Sequence, residues 1–209
     1  MDVVQYGDPD APVVLIQPAD EHDLQGIENE IREIRKAADR DFRMLVFRIR
    51  DWNRELSPWS APPVFGSEPF GSGAQETLRE ILNYCRDPEK TYYIGGYSLA
   101  GLFALWTAYQ TEVFSGVAAA SPSLWFPGFL EYMKMHPVRS GAVYLSLGDK
   151  EEKTRNPVMA TVGERIREAC DTLLEAHVDC ILEWNEENHF READVRTAKA
   201  FAWLMRKGK

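Results

Sequence analysis

Ser98 lies in Gly95-Gly96-Tyr97-Ser98-Leu99-Ala100-Gly101, between a short apolar run, Thr91-Tyr92-Tyr93-Ile94, and a long one, Leu102-Phe103-Ala104-Leu105-Trp106. A strand, a small-x-Ser-x-small turn and a buried helix form a nucleophile elbow, which lifts a serine hydroxyl clear of a sheet. Strand and helix nearly touch at such a turn, so the positions two before and two after the serine must be small. Gly96 and Ala100 fill them. A serine hydroxyl becomes a nucleophile when a base takes its proton and a carboxylate orients that base. Behind an elbow these partners follow in the order acid, then histidine, at the ends of later strands. The chain provides Gly148-Asp149-Lys150-Glu151-Glu152 and then Asn185-Glu186-Glu187-Asn188-His189-Phe190. Of the four histidines, only His189 follows the last predicted strand. An imidazole titrates near neutral pH and suits the task. His22 precedes the serine, His136 sits in a Pro-bounded loop, and His177 suits a helix C-terminus. Glu151 is the preferred acid, with Asp149 second and Glu152 third. The oxyanion donors are expected at the N–H of Leu99 and in Gln17-Pro18-Ala19-Asp20, where Pro18 has no N–H and Ala19 is the candidate. His22 and the acids beside it are read as caps of the following helix.

Elements of regular length must carry these groups. Val13–Ile16, Met44–Ile49, Thr91–Ile94, Gly116–Ala120, Ala142–Leu147 and Cys180–Trp184 read as strands, most of them apolar on both faces. Between them lie helical periods at about 26–39, 74–84 and 158–176, and a last helix places Val195, Ala198, Ala202 and Met205 on its inner face. The alternation predicts a mostly parallel sheet of about six strands with helices on both faces. A single domain over 1–209 is expected, interrupted by a Pro- and Trp-rich insertion at about 52–70.

Composition narrows the classes of partner. The net charge of −9 argues against nucleic acid and anionic membranes, both of which need a basic face. The three cysteines, Cys85, Cys170 and Cys180, lack metal-ligand spacing and fit a reducing compartment. The first residues carry neither a basic nor an apolar signal region, and no apolar run approaches the roughly 20 residues that span a bilayer. The expectation is a cytoplasmic protein with no metal and no cofactor, acting on a small molecule.

Gly96-Tyr97-Ser98-Leu99-Ala100-Gly101-Leu102-Phe103, Ala120-Ser121-Pro122-Ser123-Leu124-Trp125-Phe126 and Gly148-Asp149-Lys150-Glu151-Glu152-Lys153-Thr154 together resemble an esterase family of the α/β-hydrolases. That family includes esterase D-like and siderophore (enterobactin-type) esterases. The resemblance runs from the elbow to His189. It implies the α/β-hydrolase fold and a metal-independent serine hydrolase that cleaves carboxylic esters through a Ser-His-acid triad and an acyl-enzyme. The chain departs from the pattern at Ala100, where glycine is usual, and in lacking the N-terminal strands of many members. Arg48, Arg50 and Arg54 could form a local basic patch for an anionic substrate.

Trp52, Trp59 and Phe65 in the insertion, and Trp125 and Phe126 after the fourth predicted strand, should rise near Ser98. Trp125 and Trp52 are the candidates for substrate contact, although such rings equally pin irregular loops to a core. Trp106, Trp184 and Trp203 read as packing. A serine peptidase or acyltransferase would use the same triad, and a catalytically silent binding domain would keep the fold without the chemistry.

Overall fold

Seven strands rather than six build the sheet of the computed structural model, which describes residues 1–207. They are β1 (Val3–Gly7), β2 (Val13–Ala19), β3 (Arg43–Arg48), β4 (Thr91–Tyr97), β5 (Phe114–Ala120), β6 (Ala142–Gly148) and β7 (Asp179–Asn185). The spatial order is β1-β3-β2-β4-β5-β6-β7. Only β1 runs antiparallel, pairing Val3 with Phe47 through Gly7 with Arg43. This strand escapes a reading by apolar runs because it sits at the edge and is half-exposed along its length. The central strands differ. β2 is buried at every position, and β4 and β5 at nearly every one, which produces the continuous apolar runs of their sequences.

The helices are α1 (Glu21–Ala37), α2 (Trp52–Glu55), α3 (Ala74–Leu82), α4 (Ser98–Thr107), α5 (Phe129–Met135), α6 (Val162–Glu175) and α7 (Ala193–Lys207). α1 and α7 cover one face of the sheet, burying Ile27, Ile31 and Ile34 against Ala198, Phe201 and Met205. The other face packs against α3, α4, α5 and α6. Parallel strands need covered faces, and this two-sided arrangement is the α/β-hydrolase fold.

Three local expectations are corrected. α1 begins before residue 26, because Asp20 is its cap and accepts hydrogen bonds from the N–H groups of His22 and Asp23. Trp184 is 39% exposed rather than interior, lying on β7 at the sheet edge with the Arg167 guanidinium 4.6 Å above its ring. The basic patch expected of Arg48, Arg50 and Arg54 loses two of its three cations to ion pairs, Arg48 with Glu21 and Arg50 with Asp2. Among the described residues, no helix is long and apolar enough to cross a membrane.

Candidate active site

Parallel strands deliver their following loops to one edge of the sheet, and the candidate residues gather there. Ser98 begins α4 directly after β4, with φ at +57°. A non-glycine residue in that region costs on the order of 1–3 kcal/mol and persists only where its surroundings hold it. Here packing holds it. A Cβ on Gly96 would lie 2.7 Å from Ala100 Cβ, and one on Gly101 would lie 2.9 Å from the Gly96 carbonyl oxygen. Alanine is therefore tolerated at 100 because 96 and 101 are both glycine. The turn leaves the first N–H groups of α4, that of Leu99 among them, without any side-chain cap.

Three side chains join in line. His189 Nε2 lies 3.0 Å from Ser98 Oγ, and His189 Nδ1 lies 2.7 Å from Glu151 Oε2. With Nδ1–H donating to the carboxylate, Nε2 is left as the acceptor of the Ser98 proton. Ser123 Oγ is 3.3 Å from Ser98 Oγ and then serves as the donor of that pair, while Ser123 N–H donates to the Ser98 carbonyl. Of the three acids weighed, Glu151 alone faces the imidazole. Asp149 instead accepts from the Glu187 N–H at 2.9 Å, joining the loops after β6 and β7, and Glu152 approaches Arg167 at 3.6 Å.

Glu151 is held from every side. Its Oε1 accepts from Gly148 N–H at 2.7 Å, from Ser121 Oγ at 2.8 Å and from Arg196 Nη1 at 3.0 Å. Arg196 is 1% exposed. Its Nη1 also reaches the Tyr97 hydroxyl at 3.1 Å, and its Nη2 donates to the carbonyls of Glu186 and Asn188 in the histidine loop. One guanidinium thus ties the acid, the elbow strand and the loop carrying His189. Tyr97 completes the frame by donating to the His189 carbonyl at 2.8 Å, and burial pushes its hydroxyl up to about 12. Non-glycine residues with positive φ recur around the triad at Ser98, Ser121, Glu187 and Glu192.

Ser121, Ser123 and Arg196 were not singled out from the sequence as site residues. The two serines lie in the Ser-Pro-Ser segment that carried the family resemblance, so a signal was present. Arg196 shares one helical face with Ala200 and Leu204, both fully buried, and an arginine on such a face is the mark that a charge waits below.

The remaining candidates are spread more widely. Ala19, expected as an oxyanion donor, is the last residue of β2 and fully buried; parallel pairing with β3 commits its N–H to the Phe47 carbonyl and its own carbonyl to the Ile49 N–H, so it has no donor to offer. Trp125 is 6% exposed and lines a cleft of about 400 Å³ with Pro122, Met159, Val162, His189 and Phe190. Lys150 and Lys153 stand at its rim. Trp52 lies in α2 and packs partly buried against the core, away from this cleft. Trp59 pins the insertion by donating to the Pro127 carbonyl and packing on Phe126, Phe129 and Tyr132. Phe65 and Phe70 meet the ring of Trp125, so the insertion also backs the cleft wall.

No protein-family model matches the chain, and no curated protein is significantly similar to it. Solved structures do match in fold. An IroE-like serine hydrolase from Shewanella oneidensis superposes with a TM-score of 0.74 at 14% identity, over 99% of this chain and 76% of that one. The enterobactin esterase FES from Shigella flexneri superposes with a TM-score of 0.68 at 12% identity, over 99% of this chain and 56% of that one. The Bacillus cereus carboxylesterase gives a TM-score of 0.61 at 18% identity, over 98% and 94% of the two chains.

Proposed function

We propose that the protein is a serine hydrolase of carboxylic esters, related to the esterases whose fold it shares, with Ser98 as nucleophile, His189 as general base and Glu151 as the orienting acid. The observation that carries this reading is the unbroken line from Ser98 Oγ through the His189 ring to Glu151, at 3.0 and 2.7 Å.

In this mechanism His189 Nε2 takes the hydroxyl proton as Ser98 Oγ attacks the ester carbonyl. Glu151, remaining ionised, stabilises the imidazolium. The tetrahedral oxyanion is received by the Leu99 N–H and a second donor from the turn that follows β2. The imidazolium returns its proton to the leaving alcohol, and an acyl group stays on Ser98. Water, deprotonated by the same His189, then releases the acid and restores the serine. Arg196 is a positioning residue. It touches no reacting atom but holds Glu151 and the His189 loop in one frame. The cleft of Trp125, Met159 and Val162 offers an apolar wall for one side of the ester.

Labelling with a fluorophosphonate probe, followed by mass spectrometry, tests the reading. An adduct on Ser98 that Ser98→Ala lacks is the expected result. A folded wild-type protein that takes no probe and cleaves no ester would instead favour a silent binding domain.

A further inference from the structure

A second cleft, of about 310 Å³, opens on the opposite side of the His189–Phe190 loop, between α1 and the start of α7. Its lining includes the carboxylates Asp23, Glu30, Glu192 and Asp194, one histidine, His22, and no lysine or arginine. Glu30 and Gln17 are each 3% exposed there. Gln17 Nε2 donates to Glu30 Oε2 at 3.1 Å, which leaves Gln17 Oε1 and Glu30 Oε1 with no partner among the described residues. With Glu30 ionised these are two buried acceptor oxygens at a polar cleft without a donor, which is costly, and a ligand that brings donors removes that cost.

We propose that this cleft is a subsite for a positively charged primary amine, and that the preferred substrates are esters bearing an ammonium group. The inference rests on the esterase reading for its substrate and on the cleft alone for its ligand. The chemistry narrows the choice. A guanidinium fork asks for both oxygens of one carboxylate, and Gln17 already occupies one oxygen of Glu30. A metal ion is not matched, since no three His, Cys, Asp or Glu side chains among the described residues converge to hold one. An ammonium has compact donors that can meet Gln17 Oε1 and Glu30 Oε1, with Asp23 and Asp194 close by to complement its charge. The rings of Tyr97 and Phe190 lie on the same lining and suit a cation. They also connect the cleft to the triad, because Tyr97 immediately precedes Ser98 and the Tyr97 and His189 rings lie 5.0 Å apart. Burial pushes the Glu30 carboxyl well above its ordinary value, so a bound cation would also restore its ionised form.

The first arm of the test measures n-butylammonium binding by calorimetry, with n-butanol as the neutral control, in the wild type and in Glu30→Gln. Binding of the ammonium alone, weakened roughly tenfold or more by the substitution, is expected. The second arm compares aminoalkyl esters with their N-acetylated counterparts. The wild type should favour the charged ester roughly tenfold in kcat/KM, mainly through KM, and the ratio should fall toward one in Glu30→Gln. If that variant does not fold, Asp194→Asn takes its place. A wild-type ratio of one, or a ratio untouched by substitution, overturns the subsite while fluorophosphonate labelling of Ser98 leaves the esterase reading standing. If no ester is cleaved and no serine is labelled, the esterase reading fails, and n-butylammonium binding alone decides the subsite.

Discussion

The two clefts beside the triad share Phe190 but are opposite in chemistry. The cleft on the α6 side is walled by Trp125, Met159 and Val162, with Lys150 and Lys153 at its rim. The cleft between α1 and α7 is floored by Gln17 and Glu30 and carries four carboxylates against a single histidine, His22. The first owes its shape to core packing carried outward, since Trp125 is an extension of the aromatic cluster that also holds Phe70 and Phe126. The second keeps polar groups where the fold would be more stable with apolar ones. A polar pocket maintained against that cost points to recognition, whereas an apolar one is also explained by stability.

The largest effect is expected at Ser98, on which both clefts would act. Ser98→Ala should lower kcat for every ester by on the order of a millionfold while far-ultraviolet circular dichroism stays unchanged. Turnover within tenfold of the wild type would remove Ser98 from the mechanism. Arg196→Met should come next. Taking away one partner of a buried ion pair costs about 3–5 kcal/mol, so its urea midpoint should fall steeply. Its kcat should drop by roughly a hundredfold with a smaller change in KM, and Arg196→Lys should recover part of kcat. If the residue were only structural, kcat of the folded fraction would match the wild type.

The apolar cleft is separated from its neighbour by Trp125→Ala. This change should shift the preferred length of a neutral ester series and alter KM by roughly tenfold, leaving the preference for charged over acetylated amines in place. A simple loss of stability with an unchanged length profile would assign Trp125 to the core.

The smallest effect belongs to the acidic cleft and is one of pH. Burial first, and then the neighbouring Asp20, push the Asp23 carboxyl up to about 6. A carboxyl raised above its unfolded value of about 3.9 binds its proton more tightly when folded, so protonation favours the folded state. Asp23 therefore lowers stability progressively as the pH rises from about 4 to about 6, and that loss is complete at neutrality. Asp23→Asn should raise neutral-pH stability by about 1 kcal/mol in chemical denaturation and flatten the profile across that window. An unchanged profile would show that Asp23 is solvated.

Much of the fold was legible in the sequence, for an identifiable reason. Parallel strands buried on both faces must be apolar throughout, and β2, β4, β5 and β6 announced themselves in this way. β1 did not, because a half-exposed edge strand needs no such run. α5 was hidden by its length, seven residues being too short to show a helical period. Within the site, Glu151 was preferred over Asp149 on its offset from Gly148. What draws it inward is the set of donors from Gly148, Ser121 and Arg196. Local spacing holds no information about donors contributed by β5 and α7.

The sequence by itself determined the strand–turn–helix around Ser98, the serine–acid–histidine order and the alternation that makes the sheet, since each depends on neighbours a few residues apart. Only the tertiary structure decided which carboxylate meets His189 and how far Trp52 stands from the site. It also brought Gln17 of β2 and Glu30 of α1 together beside α7, with two acceptors unmet. These outcomes depend on side chains that are distant in sequence and that meet only when strands and helices pack, where burial sets the cost of every unpaired polar atom.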